Sequence, residues 1–279
     1  MIPFDFDYYK PDSIEEAVNI YEELALKNKH PLYYSGGTEI LTLARTKVIE
    51  TGAVIDIKDI PQCKVFELRK KEIIIGAAVT LSQIAEAKYF PLLKKVTLFP
   101  ADHSTRDKLT IGGNLCGTII YKEVVLPLLI SDSKILISGK KGNRLVEINQ
   151  IFDRKLNLEA GELLVQISIP RENMERPFYA VKVRNQGVWG YPLISLAAVI
   201  KHGLLRVAVG GLCAFPFRSR KLEETLNNKK MTVEQRISEA LKFLPAPISE
   251  DIQGSAGYKS FVFLNVLQET LDLLEGEIK

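Results

Sequence analysis

Apolar side chains return every three or four positions between residues 14 and 25: Ile14, Ala17, Val18, Tyr21, Leu24 and Ala25. That spacing predicts an amphipathic helix. Ser13 followed by Glu16 provides a capping box at its start, and Pro31 lies beyond its end. Leu32-Tyr33-Tyr34 then reads as a short strand, broken abruptly by Ser35-Gly36-Gly37-Thr38 before a helical pattern from Glu39 to about Arg45. Ala53–Ile57 predicts a strand. Lys64–Leu68 and Glu72–Gly76 predict two more, joined through Arg69-Lys70-Lys71. Thr80 and Gln83 form a second capping box before a short helix, and Phe90–Phe99 is a further helix with Pro91 in its first turn.

The segment Ala101–Thr118 is polar and glycine-containing, and predicts a long irregular stretch. Val124–Ile130 is a buried run whose state Pro127 leaves open. Lys134–Ser138, Arg144–Ile148 and Leu163–Ile169 read as strands. Arg171–Pro177 is charged and turn-like, which predicts a domain boundary there: residues 1–170 before it and 171–279 after it. Beyond it come strands at Phe178–Arg184, Leu193–Lys201 and Leu204–Val209, then helices at Lys221–Leu226, Thr232–Phe243 and Tyr258–Leu274. Strands and helices mix without strict βαβ alternation, which argues for an α+β fold.

Composition narrows the class. The chain has 279 residues, 46% hydrophobic and 25% charged, as a globular protein should. No apolar stretch approaches the roughly 20 residues of a membrane helix, so no membrane association is expected. The first ten residues carry two acids and no apolar core, so no secretory leader is expected. A balance of 37 bases against 34 acids gives no argument for nucleic acid as a partner. Cys63, Cys116 and Cys213 form neither a disulfide framework nor a CxxC pair, and only three histidines are present. No metal site is expected. The expectation is a cytoplasmic protein whose cysteines are small buried apolar groups.

The informative residues are two glycine pairs, Gly36-Gly37-Thr38 and Gly112-Gly113-Asn114. Neither is a GxGxxG or a Walker A sequence. Paired glycines let backbone N–H groups converge on an anion, since no Cβ blocks its approach. The first pair also feeds a helix start, which favours a phosphate. Either pair alone also fits a plain tight turn. Two in one domain suit a dinucleotide diphosphate, which takes donors from more than one loop.

Tyr34-Ser35-Gly36-Gly37-Thr38-Glu39-Ile40-Leu41 resembles the first flavin motif of the FAD subunits of molybdenum hydroxylases, usually close to AGGTDLL. Thr110-Ile111-Gly112-Gly113-Asn114-Leu115 matches their second motif, TIGGNL. The run from Val209 to Arg218 resembles the GG…P.R signature that follows their central sheet. The resemblance implies a PCMH-like FAD-binding domain of two subdomains over residues 1–170. A smaller C-terminal α+β domain of three strands and helices, of CO-dehydrogenase-flavoprotein type, would follow over 171–279. Xanthine dehydrogenases and carbon monoxide dehydrogenases contain such subunits. The partners it implies are a molybdopterin-binding large subunit and a small 2Fe-2S subunit. Electrons would pass from the partner's clusters through FAD to NAD+ or another acceptor.

By resemblance, Tyr34, Ser35, Gly36, Gly37, Thr38, Glu39 and Ile40 would line the pyrophosphate and ribityl part of FAD. Thr110, Gly113 and Asn114 would contact it from the second loop. Glu123 stands where the family has an Asp that bonds the adenosine side. Leu164 would pack on the isoalloxazine face, and Lys182 would place a positive charge near the ring. Lys182 equally fits a solvated strand lysine. No side chain is assigned as a catalytic nucleophile or base, because the chemistry lies at flavin N5. The run Cys116–Glu123 departs from the small-residue stretch usual there. Trp189 and Phe215–Phe217 are the expected docking surface. Two other classes stay open at this level. One is a self-contained flavin-dependent reductase or oxidase on a similar fold; the other is a flavin-free interaction subunit.

Overall fold

A computed structural model describes residues 2–185, 187 and 190–276. The chain separates into two compact units, and the division is not a single cut. The first holds Met1–Glu86, Asp102–Gly117 and Asp132–Arg171; the second holds Ala87–Ala101, Thr118–Ser131 and Glu172–Lys279.

The first unit begins with β1 (Asp7–Tyr9), α1 (Ile14–Leu26), β2 (Leu32–Tyr34), α2 (Thr38–Arg45) and β3 (Ala53–Asp56). The three strands form a parallel sheet in the order β1-β3-β2, with Tyr34 opposite Asp56. All four residues of β3 are buried, as a central parallel strand requires. Ser13 accepts from the Glu16 N–H, so the helix start expected there forms. A short helix α3 (Pro61–Lys64) leads to the hairpin β4 (Phe66–Leu68) and β5 (Glu72–Gly76), then to α4 (Leu81–Glu86). Thr80 and Gln83 exchange the two bonds of a capping box.

The stretch expected to be irregular instead carries two short helices, α6 (His103–Arg106) and α7 (Ile111–Cys116). Each is started by a side-chain cap. Asp102 accepts from the Thr105 N–H at 2.7 Å, and Thr110 from the Gly113 N–H at 3.1 Å. Two glycines weaken the propensity of α7, and packing against the neighbouring β-strand overrides it. That strand is β10 (Leu163–Pro170), the centre of an antiparallel sheet ordered β4-β5-β10-β6-β7. Here β6 is Lys134–Gly139 and β7 is Gly142–Glu147. A helical turn α9 (Ile148–Ile151) and the miniature pair β8 (Phe152–Asp153) and β9 (Lys155–Leu156) complete the unit.

The second unit is built on an antiparallel meander of β11 (Phe178–Val183), β12 (Ile194–Lys201), β13 (Leu204–Gly210) and β14 (Phe217–Arg218). The two-residue β14 adds a fourth strand to the three expected. All eight residues of β12 are buried, so the strand is covered on both faces. Its Leu196, Ala198 and Ile200 share a core with α10 (Arg220–Leu226), α11 (Val233–Ala240) and α12 (Ala256–Glu275). Two helices from earlier in the chain, α5 (Pro91–Thr97) and α8 (Val125–Ile130), pack on the same sheet. Pro127 is the third residue of α8, where its missing N–H costs no intrahelical bond. Phe217 is buried and Phe215 packs against the core, which removes them as an exposed docking surface. Trp189 lies outside the described residues.

Candidate functional site

The first glycine turn lies between the C-terminal end of β2 and the start of α2. Gly37 caps the helix at φ +70°, a left-handed backbone that suits glycine, and no side chain caps this terminus. The first-turn N–H groups and the positive end of the α2 dipole stand at this turn. Gly36 makes the close approach: a Cβ there would land on the Lys108 carbonyl, with the Thr110 nitrogen also within contact. The chain between α6 and α7 thus lies directly against the first turn, and the two glycine motifs form one locus. Tyr33 helps to set β2 in place. Its hydroxyl donates to the Gly161 carbonyl at 2.9 Å, and its ring stacks on Tyr21 at 5.1 Å.

The second pair behaves differently from the expectation. Ile111 N–H donates to Val79 O, Gly112 N–H to Ala77 O, and Gly113 N–H to the Thr110 hydroxyl. These donors are already engaged. A Cβ on Gly112 would meet Ala77, so this glycine serves close packing of α7. Polar groups at the locus come instead from side chains. Ser35 Oγ and Asn114 Oδ1 are buried without a hydrogen-bond partner among the described residues. Orphaned buried acceptors and donors are costly. One stands in each motif, which fits a polyhydroxyl diphosphate such as that of FAD. The Glu39 carboxylate lies where a Cβ of Gly117 would stand, so the start of α2 approaches the end of α7. Thr38, Glu39 and Ile40 occupy the first turn of α2, half-buried.

The remaining expected site residues divide. Leu164 is buried in β10, opposite Ile137 and next to a bulge at Val165. Glu123 and Lys182 belong to the second unit, and the structure pairs them with each other. The Lys182 ammonium donates to Glu123 Oε1 at 2.7 Å and to the Phe99 carbonyl at 2.9 Å. Both side chains are only 4% exposed. Lys182 is therefore no solvated lysine. Burial pulls its pKa below the usual lysine range, against the opposing pull of Glu123. Among the cysteines, Cys63 and Cys213 are buried, and burial pushes their thiols up to about 12 and about 11. Cys116 is exposed at the end of α7, contrary to the expectation of a packed residue. His103 is exposed beside Asp107.

Over residues 4–172 the sequence matches the family described as "FAD binding domain in molybdopterin dehydrogenase". The chain belongs to this family. FAD is its cofactor, and it is an oxidoreductase subunit of the molybdenum hydroxylase class. Similar proteins include the glyceraldehyde dehydrogenase medium chain of Sulfolobus acidocaldarius, 24% identical over 93% of this chain and 94% of its own. The nicotinate dehydrogenase FAD-subunit of Eubacterium barkeri is 24% identical over 98% of both chains. The fold matches a chain of carbon monoxide dehydrogenase from Hydrogenophaga pseudoflava with a TM-score of 0.87, 22% identity and 98% coverage of each chain. It also matches quinoline 2-oxidoreductase from Pseudomonas putida 86, with a TM-score of 0.86, 20% identity and full coverage of both. The α+β class and the FAD-domain architecture expected from the motifs are those of these structures.

One feature of the locus had no counterpart among the expected residues. Behind the first turn, Asp56 is 2% exposed and accepts from the Tyr8 hydroxyl, the Lys58 N–H and the Lys58 ammonium. The only sequence signal was an acid closing an apolar strand, two residues before a lysine.

Proposed function

We propose that the chain is the flavoprotein component of a multi-subunit molybdenum hydroxylase, working in the cytoplasm beside a molybdopterin subunit and a 2Fe-2S subunit. Electrons would arrive from the partner's clusters and leave to NAD+. The observation that carries this reading is the joining of the two glycine motifs at Gly36 and Lys108, with Ser35 and Asn114 left unpaired there. The relatives named above as a medium chain and an FAD-subunit support a division of labour between chains. FAD, when bound, supplies exchange between one-electron and two-electron chemistry.

The chain's own residues hold and orient it. The 34–40 turn offers backbone donors and the Ser35 and Thr38 hydroxyls. Thr110, Gly113 and Asn114 form the second wall, where the Asn114 carbonyl is an available acceptor. Leu164 offers an apolar surface, whereas Glu123 and Lys182, in the second unit, are bound to each other. Residues 1–170 form the FAD-binding domain in this reading, and 171–279 the C-terminal domain. Among the described residues no helix is long and apolar enough to cross a membrane.

The test is to assay the purified, FAD-loaded chain with and without its partners. Alone it should lose flavin absorbance when mixed anaerobically with NADH, yet hydroxylate no purine, aldehyde or other substrate. Hydroxylation should require the two added subunits. Hydroxylase turnover by the metal-free chain alone would overturn the subunit reading, and no response to NADH would overturn NAD+ as acceptor.

A further inference from the structure

We propose that the buried Asp56 carboxylate is a positioning residue for the flavin turn: through Lys58 and Tyr34 it holds Ser35-Gly36-Gly37 from behind in the shape that receives the cofactor. The inference rests on the reading of 34–40 as a flavin-binding turn. The connections are direct. Asp56 closes β3 and sits opposite Tyr34, the last residue of β2, so both strands end beside the turn. Its Oδ2 accepts from the Lys58 ammonium at 2.6 Å and from the Tyr8 hydroxyl, and its Oδ1 accepts from the Lys58 N–H at 2.9 Å. The same ammonium donates to the Ser35 carbonyl at 3.3 Å and lies 4.5 Å from the centre of the Tyr34 ring. The Tyr34 ring in turn packs where a Cβ of Gly37 would stand. One buried charge thus fixes a lysine that grips the turn at two points, its backbone and its aromatic cover.

Packing alone does not fix that cover. Tyr34 borders a cavity of about 280 Å³ shared with Phe4, Tyr8, Ile40, Asp56 and Lys58. The ring has room to swing away from Gly37 unless the cation–π contact and the lysine's own anchor hold it. Gly37 has no Cβ and a left-handed backbone, so the turn itself has little intrinsic stiffness. Lys58 and Tyr8 are 45% and 56% exposed, whereas the carboxylate they share is not.

A brace of this kind acts by population. If its loss leaves the receptive turn about one-tenth populated, the apparent Kd for FAD rises about tenfold, with the contacts to FAD unchanged. The experiment uses the full chain stripped of flavin and titrated with FAD. Lys58→Met, Lys58→Arg, Asp56→Asn and Thr38→Val are compared with the parent, alongside hydrogen exchange of segment 34–41 in the flavin-free protein. Expected are a Kd raised about tenfold in Lys58→Met and Asp56→Asn, faster exchange confined to 34–41, and recovery in Lys58→Arg. Lys58→Met leaves the buried Asp56 without its cation and should also lower the unfolding temperature, with Lys58→Arg restoring both stability and Kd. If Asp56→Asn fails to fold, the two Lys58 variants carry the test, since that side chain is half-exposed. Weakening by Thr38→Val with an unchanged Kd in Lys58→Met would overturn the brace and leave the flavin-turn reading standing. No effect in either would overturn both.

Discussion

Replacing Gly37 by alanine should weaken FAD binding through the free chain rather than through a clash with the cofactor. Gly37 sits at φ +70° and ψ −4°. Placing an L-residue in that left-handed region costs about 1–2 kcal/mol. A methyl group there would also press into the ring of Tyr34, so the ring or the turn must move. Without FAD the turn can relax out of the left-handed geometry and relieve both penalties. To bind FAD it must return, so the strain appears in the binding constant as a roughly five- to thirtyfold rise in Kd. Gly37→Val adds a branched Cβ and should exceed this. Isothermal titration of the flavin-free protein with FAD measures the effect, with circular dichroism to verify the fold. A folded Gly37→Ala chain with parental affinity would show that the turn does not hold the cofactor. An equal rise in Kd from Gly37→Ala in the parent and in a Tyr34→Ala background would show that backbone strain alone is responsible and the ring contact is not.

Three further outcomes follow from the buried charges and the packed glycine. Lys182→Met leaves Glu123 buried without its cation and should cost about 3–5 kcal/mol in denaturant unfolding, with much of it regained in a Lys182→Met, Glu123→Leu double variant; equal losses in both would refute the pairing. Glu162 accepts two 2.7 Å bonds from Arg144, which hold its carboxyl below the usual glutamate range. The folded pKa is depressed, so this contribution is present above about pH 4 and fades as pH falls through the folded value; an Arg144→Met chain should show a shallower acid loss over that interval, and an identical one would refute the assignment. Gly112→Ala should lower thermal stability by pushing α7 off Ala77, while any folded fraction keeps near-parental FAD affinity; loss of affinity in a fully stable variant would reinstate Gly112 as a direct ligand.

Much of this was legible in the chain because the signals were local. The helix cap at Ser13, the capping box at Thr80, the strand Leu163–Ile169 and the break at Ser35–Thr38 each depend on neighbours a few residues apart. The region between Ala101 and Thr118 was not legible, because its helices depend on Asp102 and Thr110 as caps and on packing against β10. Both glycine motifs were visible, but their division of labour was not. Whether a glycine N–H is free or spent is decided by Ala77 and Val79, more than thirty residues upstream. The pairing of Glu123 with Lys182 spans 59 residues and turned two separately expected contacts into one buried unit. Asp56 and Lys58 carried no motif, since their part in the locus exists only once β2 and β3 lie side by side.

The most direct measurement is a calorimetric titration of the full, flavin-free chain with FAD and with FMN, followed by acid precipitation of the loaded protein. A site built on two turns around a diphosphate should take up one FAD per chain and bind FMN, which lacks the adenylate half, far more weakly. All of the flavin should appear in the acid supernatant. Equal affinity for the two, no uptake of FAD, or flavin retained in the pellet would contradict the account.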